Sequence, residues 1–251
     1  MYNSNSFKFF LCSSIFLMII ISSSTFGKTI NLTTLNWEPH YGENLKNQGH
    51  FTELTRKAFK ASGHDLKVQF TNWTRALNLA KRGESDGLLG AYYNVERSKF
   101  CIFSQPITDN KLSFATLKGK IITYKKLEDL KPYKIGVGKD YIHTKEFDNA
   151  KFLQKVEGKT TKENLEKLFK GWIDIIIDSE KVIKFLLNKD FNEKSAEVVF
   201  IGPPLRINKL YICISNKIKG HKKIIDDFNK GLKIIKENGT YDKVLESHGL
   251  K

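Results

Sequence analysis

Apolar positions recur with two different periods along this chain, and the order of those periods predicts its elements. Residues 29–35 alternate apolar with polar or β-branched positions, a period of two that predicts a strand. Residues 51–61 instead place Phe51, Leu54, Ala58 and Phe59 at helical spacing, and Gly63 ends that helix. A short strand at 68–70, a helix at 74–82 and a strand at 87–91 follow; Ala76, Leu77 and Ala80 share one helical face and Gly83 stops the helix. A β-α-β-α-β order predicts a mostly parallel sheet covered by helices.

A second run of the same kind begins near Leu127. It predicts a strand at 134–137, helices at 144–150 and 162–170, a strand at 173–177 and a helix at 182–187. The isoleucines at 173 and 175–177 read as a strand buried on both faces. Both runs carry the same local device: helix, glycine, two residues, aspartate, buried strand, in Gly83 to Asp86 and again in Gly171 to Asp174. The glycine suits a left-handed helix end, and the aspartate suits a hydrogen bond to the turn backbone. Two matching α/β units imply two lobes, with ligand bound outside the carboxyl ends of the strands and therefore between them.

The remaining segment predicts a strand at 210–214 and helices interrupted at Asn238-Gly239, a tail that returns to the first lobe. The crossovers then fall near 113–118 and 206–210. The expected organisation is α/β, with residues 28–114 plus 209–251 forming lobe 1 and residues 115–208 forming lobe 2.

The first 27 residues stand apart. Lys8 is their only charge, residues 9–21 form an uncharged, mostly apolar run containing Phe9, Leu11, Ile15 and Met18, and small residues from Ser22 to Gly27 suit a cleavage site. This reads as a secretory signal peptide, because the run falls short of the about 20 apolar residues a membrane span requires. Cys12 has no small-residue lipobox around it. The expected location is the periplasm. The net charge of +15 comes from lysines spread along the sequence rather than clustered. That distribution reads as a solvated surface, and no zinc-finger, RRM or basic-helix pattern asks for nucleic acid. Cys101 and Cys213 each lie in an apolar, strand-like segment. An oxidising compartment permits a bridge, but the reading leans to two buried free thiols. Six scattered histidines without ligand spacing predict no metal site, and no motif asks for a cofactor.

Four segments carry a family resemblance. They are Trp37-Glu38-Pro39-His40-Tyr41 with Gly49-His50-Phe51-Thr52-Glu53-Leu54; Trp73-Thr74-Arg75-Ala76-Leu77 through Gly83, Asp86, Glu96-Arg97 and Phe103-Ser104-Gln105-Pro106; Leu127-Glu128-Asp129-Leu130 with Ile135-Gly136-Val137; and Asn238-Gly239-Thr240-Tyr241-Asp242-Lys243-Val244. In order and spacing they resemble the bacterial extracellular solute-binding proteins of family 3, the polar amino acid binders of ABC transporters. The resemblance implies a type II periplasmic-binding-protein fold, with two α/β lobes joined by two hinge strands. It also implies a monomer that hands its solute to a membrane permease. Trp37 and Trp73 match the aromatics that sandwich the ligand, and Arg97 matches the arginine that clamps its carboxylate. Asp178 is the nearest match to the acid that holds the ammonium group, with Glu180 as a substitute. Tyr92 and Tyr141 stand where relatives supply Ser or Thr and Gly-Thr. The residue chemistry agrees: a guanidinium binds carboxylate with two parallel hydrogen bonds, and aromatic faces add apolar contact.

Two other functions compete. The same scaffold supports periplasmic cyclohexadienyl dehydratases, for which Glu53, Asp140 or Glu180 could act as general acid. A solute sensor would present the closed form to a separate membrane receptor. The expected function is solute capture by lobe closure without chemistry.

Overall fold

Alternation in β1 (Thr29–Thr34) buries Ile30 and Leu32 completely, and they pack on α1 (His50–Ala61) through Phe51, Leu54, Ala58 and Phe59, all fully buried as their spacing predicts. The structure, a computed structural model, describes residues 27–139, 141 and 143–250. Residues 1–26 of the expected export segment, and Asp140, lie outside the described residues. Lobe 1 continues through β2 (Asp65–Phe70), α2 (Trp73–Arg82), β3 (Gly87–Tyr92), α3 (Val95–Ser98) and β4 (Cys101–Phe103). β5 (Thr108–Leu117) leads to lobe 2, which contains β6 (Lys134–Gly138), α4 (Lys145–Asn149), β7 (Gln154–Gly158), α5 (Thr161–Phe169), β8 (Ile175–Ser179) and α6 (Glu180–Asp190). β9 (Val198–Ser215) returns to lobe 1, where α7 (His221–Glu237) and α8 (Thr240–Ser247) follow.

The strands run in the order β2-β1-β3-β9-β5-β8-β6-β7, with β4 also paired to β9. The β1–β2, β1–β3, β6–β7 and β6–β8 pairs are parallel, and every pair involving β5 or β9 is antiparallel. Each lobe is thus a parallel α/β unit, and β5 and β9 form the ribbon between them. Lobe 1 has a core of Ile30, Leu32, Phe51, Phe59, Ile212 and Phe228. Lobe 2 buries both faces of its sheet: Ile175 and Ile177 of β8 join Phe114 and Phe147, while Ile176 joins Leu165 and Ile183 on the other side. That is the consequence of consecutive isoleucines in a parallel strand.

The repeated glycine-aspartate device proves to be a clamp between strands rather than within a turn. Gly83 does end α2 in the left-handed region. Asp86 then accepts the backbone N–H of Asn31 in β1 at 2.8 Å while its own N–H donates to the Asn31 carbonyl. Asp174 repeats this with Lys134 of β6, at 3.0 Å through its carboxylate and 2.8 Å through its N–H. The same residue at the same point of each lobe locks the incoming strand beside the first.

One expectation is corrected. Cys101 and Cys213 are bridged, with Cα atoms 5.6 Å apart. β4 lies antiparallel to β9 and brings Phe103 opposite Cys213 and Cys101 opposite Ser215, so the two cysteines fall on a cross-strand diagonal. The pairing depends on the tail returning through lobe 1, which no local pattern at either cysteine reveals.

Candidate functional site

The side chains singled out by sequence converge where strands of both lobes end. Trp37 follows β1, and its backbone pairs with Tyr41 in an isolated bridge. This turns the indole edge-on toward Tyr92, with ring centroids 5.9 Å apart, and lays it against His40 at 4.3 Å. Trp73 opens α2, whose first turn is capped by the Asn72 side chain accepting from the Arg75 N–H at 2.9 Å.

Tyr92 owes its direction to a bulge. The β3–β9 register shifts between Leu89 and Ala91, and Gly90 there has φ +76°. A Cβ at Gly90 would lie 2.2 Å from the Tyr41 ring, so glycine is required both for the conformation and for the approach. The Gly90 carbonyl accepts the buried Tyr41 hydroxyl at 2.9 Å, which fixes the bulge in place.

Arg97 belongs to α3, which Asn94 caps by accepting the Arg97 N–H at 2.7 Å. Its guanidinium donates to the Tyr92 carbonyl at 2.6 Å and stacks over the Trp73 ring, 5.1 Å from the centroid. Half burial lowers its pKa, but a guanidinium remains charged at any physiological pH. Among the described residues, no carboxylate lies within ion-pair distance of Arg97.

Lobe 2 contributes Tyr141, exposed after β6, and Asp178, buried at the end of β8. Asp178 accepts from the Thr161 hydroxyl at 2.5 Å and from the Ser179 N–H at 2.6 Å. Burial raises its pKa; the Thr161 and Ser179 hydrogen bonds and nearby His143 act against that rise. Its charge reaches both Tyr92 and Tyr141, so the two lobes face each other here. Glu180 lies elsewhere. It accepts from the Ser113 hydroxyl at 2.7 Å and lines a separate cavity with Lys111, Lys181 and Tyr241.

The structure thus brings Trp37, Trp73, Tyr92 and Arg97 into one cluster on lobe 1 and sets Tyr141 and Asp178 across from it. Sequence reasoning missed Asn110 and Arg206. Asn110, on β5, donates to the Tyr92 hydroxyl at 3.0 Å and accepts from Ser179 at 2.5 Å. Arg206, on β9, donates to the His143 carbonyl at 3.3 Å and acts on Tyr92 through its charge. Neither carries a local signal, since their direction depends on how β5 pairs with β9. Among the described residues, no group of three or more His, Cys, Asp or Glu is placed to hold a metal ion. Among them also, no helix is long and apolar enough to cross a membrane.

The fold has many solved likenesses. The second substrate binding domain of a putative amino acid ABC transporter from Streptococcus pneumoniae aligns with TM-score 0.71 and 20% identity, covering 87% of this chain and 98% of that one. Substrate binding domain 2 of Lactococcus lactis GlnP, in an open conformation, aligns with TM-score 0.69 and 21% identity, covering 89% and 95%. The GluR0 ligand-binding core from Nostoc punctiforme, in complex with L-glutamate, aligns with TM-score 0.61 and 19% identity, covering 87% and 97%. At such identities the likeness is one of fold, and it is the two-lobed type II fold of periplasmic binding proteins. No curated protein matches the chain in sequence. The profile of the bacterial extracellular solute-binding proteins, family 3, matches residues 32–251, and the chain belongs to that family.

Proposed function

We propose that this protein is exported, captures a small carboxylate solute of the amino acid kind between its lobes, and delivers it to an ABC permease without altering it. Arg97 carries the reading. A half-buried guanidinium stacked on Trp73 and anchored on the Tyr92 carbonyl, with no carboxylate beside it among the described residues, is preorganised for an anionic partner from solution. Trp37 and Trp73 supply the aromatic walls, Tyr92 lies between them and the hinge, and Tyr141 and Asp178 close from lobe 2. Binding to both lobes favours the closed arrangement by the difference in contacts between the two states. One neighbour is a substrate-binding domain of a putative amino acid ABC transporter by name, another is a substrate-binding domain of GlnP, and the third holds L-glutamate. A disulfide suits an oxidising compartment outside the cytoplasm.

A thermal-shift screen of the purified protein against amino acids, polyamines and small organic acids tests the proposal. A ligand that binds only the native state raises the melting temperature by mass action. Stabilisation by carboxylates is expected. A shift produced by polyamines alone would overturn it. Incubation with prephenate or arogenate should return both unchanged, whereas turnover would favour an enzyme.

A further inference from the structure

If Arg97 takes one carboxylate, as proposed above, the charges on the remaining walls decide what the rest of the solute carries. The β5–β9 ribbon runs beside this cluster, and in it Asn110 pairs with Asn208 and Leu112 with Arg206. Residues at 110, 112, 206 and 208 therefore share one face, because side chains alternate along a strand and paired residues project together. Asn110 shows which face this is: it donates to the Tyr92 hydroxyl and accepts from Ser179. The Asn208 side chain approaches the same hydroxyl, and the Arg206 charge is felt there.

Arg206 is exposed, and its Nη1 reaches the His143 carbonyl. It thus stands between the end of β3, which carries Tyr92, and the segment after β6, which carries Tyr141 and His143. Arg97 is tied to the Tyr92 carbonyl and Arg206 lies toward the Tyr92 hydroxyl, so one tyrosine separates two guanidinium groups.

The acids nearby do not balance this charge. Asp178 accepts one hydrogen bond on each oxygen within lobe 2, from Thr161 and Ser179, and is a single carboxylate opposite two guanidinium groups. Glu180 is bonded to Ser113 in the cavity with Lys181. Among the described residues, no carboxylate lies within ion-pair distance of Arg97 or Arg206, whose guanidinium groups donate to the Tyr92 and His143 carbonyls.

We infer that the crevice selects a solute with two anionic groups, of the dicarboxylate type, one held by Arg97 and the other by Arg206, with its carbon chain along Tyr92. An ammonium group is tolerated but not required.

Titration calorimetry on the full chain with glutarate, L-glutamate and L-glutamine separates the possibilities. Glutarate and L-glutamate should bind, and L-glutamine should bind at least about tenfold more weakly, since a charge-assisted hydrogen bond is lost. Arg206→Gln should weaken glutarate by about tenfold or more while Arg206→Lys recovers part of the loss, because the charge remains and the fork does not. L-glutamine bound as tightly as glutarate, or unchanged glutarate affinity in Arg206→Gln, overturns the second anchor and leaves Arg97 in place. Failure of glutarate and L-glutamate to bind at millimolar concentration, with L-glutamine binding, also overturns it. Carboxylate binding that survives Arg97→Ala overturns the reading on which it rests.

Discussion

The side-chain amide of Asn110 donates to the Tyr92 hydroxyl at 3.0 Å, tying the ribbon shared by both lobes to the loop that leads to Arg97. The same side chain accepts from Ser179, which caps the first helix turn after β8 in lobe 2. One buried carboxamide thus touches both lobes.

Replacing Asn110 with leucine keeps the side-chain size but leaves the Tyr92 and Ser179 hydroxyls without this partner. The expected destabilisation is about 1–3 kcal/mol, the usual cost of stranding buried polar groups. Urea denaturation of the variant checks it. An unchanged midpoint would show that water or a neighbour substitutes freely.

Trp73→Ala removes the ring under the Arg97 guanidinium. A partly desolvated cation–π contact is worth about 1–2 kcal/mol, so ligand affinity should fall about tenfold in calorimetry. Trp73 is only half-buried, so the melting temperature should move little. A large loss of stability with intact affinity would assign Trp73 to packing alone.

Stability should fall on acidification through two histidines behind Trp37. Burial, with the charge of Lys181 adding to it, lowers the His50 pKa to about 3, and burial lowers that of His40 as well. Both are neutral in the folded protein, whereas in the unfolded chain they take up protons below about pH 6.5. Their contribution is complete above pH 6.5 and is lost progressively as the pH falls toward about 3. Asp178 acts in the opposite sense, because its raised pKa makes its contribution decline as the pH rises above the unfolded value. Comparing melting temperature against pH for the wild type and His50→Phe isolates the histidine share. The variant should show the shallower slope, and parallel curves would contradict the assignment.

The Cys101–Cys213 bridge closes a loop across a sequence separation of 112 residues. Replacing both cysteines with alanine should cost about 2–5 kcal/mol, chiefly by freeing the unfolded chain. Denaturation of wild type with and without reductant provides the same comparison without mutation. Equal midpoints would mean that the buried cluster around these residues holds lobe 1 together alone.

Most of each lobe was legible because its helices bury one consistent face and its central strands are buried along almost their whole length. β1, α1, α2, β3, α5 and β8 announce themselves through Leu32, Phe59, Ala76, Leu88, Leu165 and Ile176, all fully buried. The hinge ribbon was not legible. The first half of β5, Thr108 to Leu112, alternates polar residues on both faces, and the first half of β9 contains Pro203-Pro204. A proline pair reads as a loop, yet here residues 202–205 bulge opposite the single residue Ser113, where missing N–H groups break no ladder. Only the first-lobe half of β9 was therefore expected, and Asn110 and Arg206 stayed hidden with the ribbon that aims them. The expected helix at 144–150 shortens to Lys145–Asn149, and β7 went unread because its burial alternates weakly. At the site, Trp37, Trp73 and Arg97 stood out through their motifs, while the cysteine pairing required knowing that the tail runs beside β4.

The proposed function depends on the anion-binding role of one guanidinium, which calorimetric titration of Arg97→Ala beside wild type tests most directly. With a carboxylate that stabilises the wild type, saturable heat is expected for wild type and none for the variant, both proteins being equally folded by circular dichroism. Equal affinity in the two would contradict it.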